Sequence, residues 1–162
     1  FGDVVMQSSS NLPNVVLLDR ITDPHNVGAI LRSAEVFGAS AVLGTKHHSA
    51  PETGALAKAA SGALERQPYI RVRNLADTIL ELKKMGFVAL GLDATGERDI
   101  SDAAKLYFDR PIALVMGAEG PGLRSRTKEV VDELVRIKPV SSFGSLNVSN
   151  AAAVGLHSIT AL

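Results

Sequence analysis

Three short stretches of this chain place chemistry-bearing residues at defined spacings. In the first, Asn26-x-Gly28-x-x-x-Arg32 opens a helical pattern. Val27, Ile30, Leu31, Ala34 and Phe37 recur on one helical face, and Gly28, Arg32 and Glu35 fall on the opposite one. The apolar stripe is complete without Arg32, which leaves its guanidinium for other work. The competing reading is a solvated i,i+3 pair between Arg32 and Glu35. Asn26, which follows Asp-Pro-His, is expected to cap the first turn. In the second stretch, Val115-Met116-Gly117-Ala118-Glu119-Gly120-Pro121-Gly122-Leu123, an apolar run enters a loop with three glycines and one acid. Glycines there let a backbone approach a ligand closely, although a tight turn after a strand needs them equally. The third stretch runs from Ile137 to Asn150, where a Ser/Gly loop leads into a small-residue helix near Asn147. By itself it reads as an N-cap and a closely packed helix.

Short apolar runs alternating with helical patterns must position these stretches. Strands are expected at Val15–Asp19, Ala41–Gly44, Tyr69–Val72, Phe87–Leu92, Ile112–Met116 and Leu134–Ile137. Helices are expected at Asn26–Phe37, Thr53–Ser61, Leu75–Met85, Thr127–Asp132 and Val148–Leu162. The strands are continuous apolar runs, as in a parallel sheet buried on both faces, and their order predicts an α/β layered domain with crossover helices. Residues 1–14 read as a linker or trimmed interdomain segment, and 15–162 as the domain. The chain starts at Phe1 and stops inside a helical pattern, which suggests a fragment whose neighbours are missing.

Composition narrows the function classes. The 162 residues are 46% apolar and 21% charged, an ordinary globular balance, and are long enough for one sizeable core. Lys+Arg and Asp+Glu both number 17, so any nucleic acid must be held by a local patch, a second subunit or a partner domain. With no cysteine, disulfides, thiolate zinc sites and Cys nucleophiles are excluded, which fits a reducing compartment. No membrane span or signal peptide is apparent, and the cytoplasm is the expected location. His25, His47, His48 and His157 have no metal-ligand spacing, so no metal is expected; His47 and His48 are expected in an exposed loop. Arg66, Arg71 and Arg73 are candidates for a phosphate patch, with ordinary surface placement as the alternative.

The loop spacing Gly-x-x-Gly-x-Gly matches neither the dinucleotide fingerprint nor a P-loop, which argues against an unrelated nucleotide-binding α/β protein. Taken together, in this order and at these separations, the three stretches resemble the motifs of the SpoU (TrmH-like) RNA methyltransferases of the SPOUT superfamily. The matching residues are Asn26-x-Gly28-x-x-x-Arg32-x-Ala34-x-x-Phe37-Gly38, Gly117-x-Glu119-Gly120-x-Gly122-Leu123 and Ser145-Leu146-Asn147-Val148-Ser149. The resemblance covers essentially residues 15–162. Leu18-Asp19-Arg20-Ile21-Thr22-Asp23-Pro24-His25-Asn26 looks most like the branch that methylates a guanosine ribose in 23S rRNA, with tRNA as the second choice.

The resemblance implies a parallel sheet with flanking helices whose C-terminal part forms a deep trefoil knot. It implies S-adenosylmethionine as cofactor, held by Met116, Gly117, Ile137, Leu146 and Asn147, largely through backbone groups. It implies catalytic roles for Arg32, Asn26, Glu119, Ser145 and Asn147, a homodimer, and an RNA-binding domain N-terminal to this chain. Arg32 would act at the ribose 2′-hydroxyl. A guanidinium that stays protonated is suited to fixing the neighbouring phosphate and stabilising alkoxide charge rather than to taking a proton. Asn26 would orient Arg32 or the ribose. The final helix's small-residue face, with Val148, Ala151, Ala152, Gly155 and Ile159, is compatible with a dimer contact or an intrachain one. A non-catalytic RNA-binding module is the alternative, and the presence of all five catalytic candidates argues against it. One departure stands out: Ile137-Lys138-Pro139 replaces the family's Ile-Pro-Met, so the local backbone path is in question and Lys138 is expected to face solvent or RNA.

Overall fold

The computed structural model describes residues 12–48, 50, 54–118, 120–141 and 146–161, together with Gly2. Along the chain these form β1 (Asn14–Asp19), α1 (Pro24–Val36), β2 (Ala41–Thr45), α2 (Gly54–Ala60), α3 (Ala63–Arg66), β3 (Tyr69–Val72) and α4 (Leu75–Lys84). There follow β4 (Val88–Leu92), β5 (Arg98–Asp99), α5 (Ile100–Leu106), β6 (Ile112–Gly117), α6 (Ser125–Val130), β7 (Glu133–Arg136) and α7 (Val148–Thr160). The strands make one seven-stranded sheet in the order β3-β2-β1-β6-β4-β7-β5, and every pairing is parallel.

Period-two alternation divides the core. Val16 and Leu18 of β1 join a cluster with Ile30 and Leu31 of α1, Leu56 of α2, Ile100 of α5 and Leu156 of α7. Val15 and Leu17 point the other way, to Leu75, Ile79 and Leu82 of α4 and Val130 of α6. Helices on both faces explain why the strands read as continuous apolar runs. Among the described residues no helix is long and apolar enough to cross a membrane.

Six strands and five helices lie where the sequence places them, to within two residues at each end. Two expectations change. Asn14, expected in the linker, begins β1, and its Oδ1 accepts from the Ile112 amide at 3.0 Å. The cap of α1 is Asp23 rather than Asn26: its carboxylate accepts from His25 N at 2.8 Å, and Pro24 fills the first helical position. Proline lacks the N–H that this position leaves unpaired, so Asp-Pro starts the helix two residues before Asn26.

The connection from β4 to β5 has an unusual path. β7 lies between these two strands, and Leu92 and Arg98 both register with Val135. Residues 93–97 therefore cross over β7. Asp93 N donates to Val135 O at 2.9 Å, and the turn closes through Gly96 N to Asp93 O at 3.0 Å. Gly96 presses on the strand so closely that a Cβ there would lie 2.6 Å from Val135 C and 2.8 Å from Val135 Cα. Only a residue without a side chain permits that crossing.

Candidate active site

The glycine loop begins at the C-terminal end of β6. β4 and then β7 lie beside β6 in the sheet, with Leu92 in register with both Met116 and Val135. Gly117, Asp93 and the Arg136–Ile137 step thus line up along one edge, the carboxyl ends of the strands, where open α/β sheets bind ligands. Gly117 is required by contact: its ideal Cβ would be 2.3 Å from Gly122 C and 2.5 Å from Leu123 N. The loop folds back on itself there, with an Ala118–Gly122 bridge and Gly122 N donating to Ala118 O at 2.8 Å. Gly120 takes φ 83° and Gly122 φ 69°, and the space a Cβ would enter at Gly120 is open. Backbone contacts thus set the fold of the described part of this loop.

Of the expected cofactor residues, Met116 is buried in the core as the floor of this edge, and Gly117 and Ile137 are half-buried. Leu146 is exposed (47%), an apolar side chain left without cover. Asn147 caps α7, its Oδ1 accepting from Ser149 N at 2.9 Å. Glu119 and Ser145 lie outside the described residues.

Arg32 is exposed on α1 and has no ion pair among the described residues. The expected Arg32–Glu35 pair does not form. Glu35 is instead held by Arg66 of α3, through Nε and through Nη2 at 3.1 Å, and this contact keeps its carboxyl below the usual range. Gly28, expected on the outer face with Arg32, is buried against α2: its Cβ would meet Ala59 Cβ at 2.6 Å and Leu56 O at 2.6 Å. The reason is that α1 is covered on two sides, by the sheet and by α2, so its buried arc is wider than the apolar stripe. No hydrogen bond joins Asn26 to Arg32. Six residues separate them by about 9 Å along the helix and about 240° around it.

Residues that sequence reasoning missed reinforce the edge. Asp19, fully buried at the end of β1, accepts from Arg124 N at 2.9 Å and Arg124 Nε at 2.7 Å, tying β1 to the chain just after the glycine loop. Burial pushes the Asp93 carboxyl up, but hydrogen bonds from Thr95 and the Lys128 ammonium at 3.6 Å outweigh it and hold it below the usual carboxylate range. The turn signal Asp93-Ala94-Thr95-Gly96 after an apolar run was available in the sequence. The Ile137-Lys138-Pro139 departure also has an explanation. Lys138 N donates to Asp99 Oδ2 at 3.1 Å, a bond that a proline at 138 could not make. The Lys138 side chain is exposed. The small-residue face of α7 packs within the chain, Gly155 lying under Leu114 of β6.

Comparisons with known proteins agree with this geometry. Residues 13–157 match the model of the SpoU rRNA Methylase family. The chain is 46% identical over 154 residues to the 23S rRNA (guanosine-2′-O-)-methyltransferase RlmB of Ralstonia nicotianae, covering 95% of this chain and 61% of that protein. It is 43% identical over 152 residues to the RlmB of Neisseria meningitidis, covering 94% and 60%. The crystal structure of the SpoU methyltransferase AviRb from Streptomyces viridochromogenes, in complex with AdoMet, superposes with a TM-score of 0.83 at 29% identity, covering 98% of this chain and 60% of that one. The chain thus spans about three-fifths of the length of these relatives. By its motifs, its fold and these matches, the chain belongs to the SpoU rRNA methylase family.

Proposed function

We propose that this chain is the catalytic domain of an S-adenosylmethionine-dependent RNA methyltransferase, acting on a ribose 2′-hydroxyl, with a guanosine of 23S rRNA as target. The observation that carries the reading is the glycine loop set at the carboxyl ends of β6, β4 and β7, in a chain 46% identical to an enzyme of that name. The residues fit the cofactor. The space beside Gly120 is open, so the backbone there can meet a ligand, and Ile137 and Leu146 offer apolar surface for adenine. Bound there, the cofactor supplies a methyl group on a sulfonium, already activated toward a nucleophile.

The protein's own task is to hold the ribose in line and manage the proton lost from its hydroxyl. Arg32 binds the adjacent phosphate and stabilises developing negative charge on the 2′-oxygen, because it is charged, exposed and not neutralised by a described carboxylate. Asn147 fixes the start of α7, and Asn26, Glu119 and Ser145 complete the pocket by family position. Since Asn26 and Arg32 do not meet on one helix, a second copy facing the first is a natural source of the missing partner. Exposed Val36, Val154 and Leu146 on and beside the packed pair α1 and α7 support a homodimer there. The crossing of residues 93–97 over β7 supports a deep trefoil knot, with the chain beyond β6 threaded beneath that bridge. An rRNA target supports a cytoplasmic location.

Calorimetric titration of S-adenosylmethionine into the wild type and Gly117→Arg tests the cofactor site. Binding by the wild type alone is expected; binding by both removes the glycine loop from the pocket. Arg32→Ala is expected to keep cofactor affinity while lowering methyl transfer to rRNA fragments by about 10²-fold or more, the scale of losing one transition-state charge contact.

A further inference from the structure

The carboxyl edge carries a second feature that the methyl-transfer site does not use. A cleft of about 320 Å³ opens beyond the ends of β1, β2 and β3, between the starts of α4 and α6. Four arginines, Arg20, Arg73, Arg124 and Arg126, line it together with His47 and His48, and among the described residues no carboxylate does. In a chain with 17 basic and 17 acidic residues, that is a strong local concentration of one sign.

The cleft is built from several elements. Arg20 follows β1 with φ 61°, a left-handed conformation that is unfavourable for a non-glycine residue and persists only where surroundings fix it. Its Nη2 lies 3.3 Å from His48 Nε2, joining the β1 and β2 ends. His48 N is held by Thr45 Oγ1 at 3.3 Å. Arg124 gives its Nε to buried Asp19 and so anchors the wall. Arg73 and Arg126 are exposed, and only Arg126 has a described carboxylate partner, Glu129 at 3.3 Å on its own helix. The two other arginines that sequence reasoning offered for a phosphate patch are engaged elsewhere. Arg66 holds Glu35, and Arg71 donates to Ala50 O at 2.7 Å and lies over the Tyr69 ring.

We propose that this cleft binds the phosphodiester backbone of the RNA strand flanking the ribose to be methylated. The proposal rests on the reading of the chain as an RNA methyltransferase domain. Planar guanidinium groups converging on a polar cleft match phosphate oxygens in bidentate geometry, and a cluster compensated only in part, at Arg124 by Asp19 and at Arg126 by Glu129, attracts a polyanion locally. The cleft lies on the same sheet edge as the glycine loop, and Arg124 follows Gly122 by two residues, so a strand seated in it runs toward the cofactor loop.

The test measures anisotropy of a fluorescein-labelled oligouridine with the chain as it stands, across a salt series. It compares wild type, Arg73→Ala/Arg126→Ala, and a control of equal charge change at exposed distant positions, Lys84→Ala/Lys105→Ala. Each phosphate contact contributes about 0.7 to the slope of log K against log salt for a single strand, so the cleft variant is expected to lose about 1.4 of that slope and the control none. Calorimetry with S-adenosylmethionine on the same samples reports the cofactor site separately. An unchanged slope in the cleft variant, an equal loss in the control, or no oligouridine binding by wild type would overturn the proposal, even where cofactor binding upholds the functional reading. Equal competition by polyglutamate and by unlabelled oligouridine would overturn it as well, since the cleft would then accept any polyanion.

Discussion

Replacing Gly96 with alanine tests the crossing that organises the C-terminal half of the sheet. The new Cβ would lie 2.6 Å from Val135 C, 2.8 Å from Val135 Cα and 2.9 Å from Leu134 C. Carbon atoms prefer about 3.5–4.0 Å, so three contacts are short by more than about 0.5 Å. All three are to backbone, and that backbone is held on both sides, by β4 and by β5. No side chain can rotate away. Residues 93–97 must lift, which breaks the Asp93 N to Val135 O bond, or β7 must leave its register. Overpacking costs about 1–3 kcal/mol in ordinary cores, and a lost hydrogen bond adds about 1 kcal/mol, so a loss of about 3 kcal/mol is expected. Urea denaturation followed by circular dichroism reads this directly. Two companion variants set the scale. Gly54→Ala meets nothing within 4 Å and has no positive φ, so it is expected to be near neutral. Gly38→Ala also meets nothing but sits at φ 72°, and is expected to lose about 1 kcal/mol through backbone strain alone. If Gly96→Ala unfolds no more easily than Gly38→Ala, residues 93–97 do not press on β7 and the crossing argument fails.

Other perturbations follow the same logic. Gly28→Ala places a methyl 2.6 Å from both Leu56 O and Ala59 Cβ, so α1 and α2 must separate; a loss of about 1–3 kcal/mol is expected by thermal melting, despite the gain in helix propensity. Asp19→Ala leaves the Arg124 amide without its acceptor beside the glycine loop; a loss of about 1–3 kcal/mol together with weaker cofactor binding is expected, and full cofactor affinity would show that the loop does not depend on this tie. Asp99 is held below its ordinary value of 3.8, chiefly by the Ser101 hydroxyl and against burial, with the Ser101 and Lys138 amides adding to the effect. A lowered folded-state pKa contributes stability that is present above the unfolded value and is lost as pH falls through the folded one. The wild type is therefore expected to lose stability below about pH 4 more steeply than Asp99→Asn, and parallel pH profiles would remove Asp99 from the account.

The elements that the sequence made legible are those with a strong period. β1 carries the apolar run Val15–Leu18, β4 and β6 have no polar side chain, and α4 carries its stripe between an Asn74 cap and a Lys83–Lys84 end. β5 was not legible, because two polar residues, Arg98 and Asp99, carry no period at all. α5 was missed because its seven residues bury only Ile100, Ala103 and Ala104, although Asp99 at its start is an ordinary cap signal. α3 was missed because its four residues, set off from α2 by positive φ at Ser61 and Gly62, are too few to show a helical period. The three motifs were legible as motifs, and the edge they share was not. Gly117 and Ile137 come onto one edge only because β4 pairs with β6 on one side and β7 on the other, a topological fact that no local pattern encodes. Gly28 was misplaced for a related reason, since one helix read alone shows which residues are apolar but not how many neighbours will cover it.

Neutral net charge requires any RNA to be held by a local patch, a second subunit or a partner domain, and the distribution of pairs favours the first. Away from the cleft, four cations sit on or near carboxylates: Arg66 on Glu35, Arg98 on Glu133 at 2.8 Å, Lys83 near Asp132 at 3.4 Å and Lys128 near Asp93 at 3.6 Å. Those acids neutralise the flanks of the domain, and at separations beyond a Debye length of about 8–10 Å they contribute little at the cleft. At the cleft, Arg20 and Arg73 have no described carboxylate partner, and Arg126 has only a solvent-exposed one. The field that an RNA strand meets at short range is therefore set by a few arginines at one end of the sheet and not by the total. On the proposed reading, such a surface resists non-specific coating by nucleic acid while holding a strand at the cleft. Adding cations elsewhere, as in Glu81→Lys on exposed α4, is then expected to raise non-specific RNA binding without raising methyl transfer. A matching rise in both would mean that overall charge, rather than the placement of these arginines, limits the encounter with RNA.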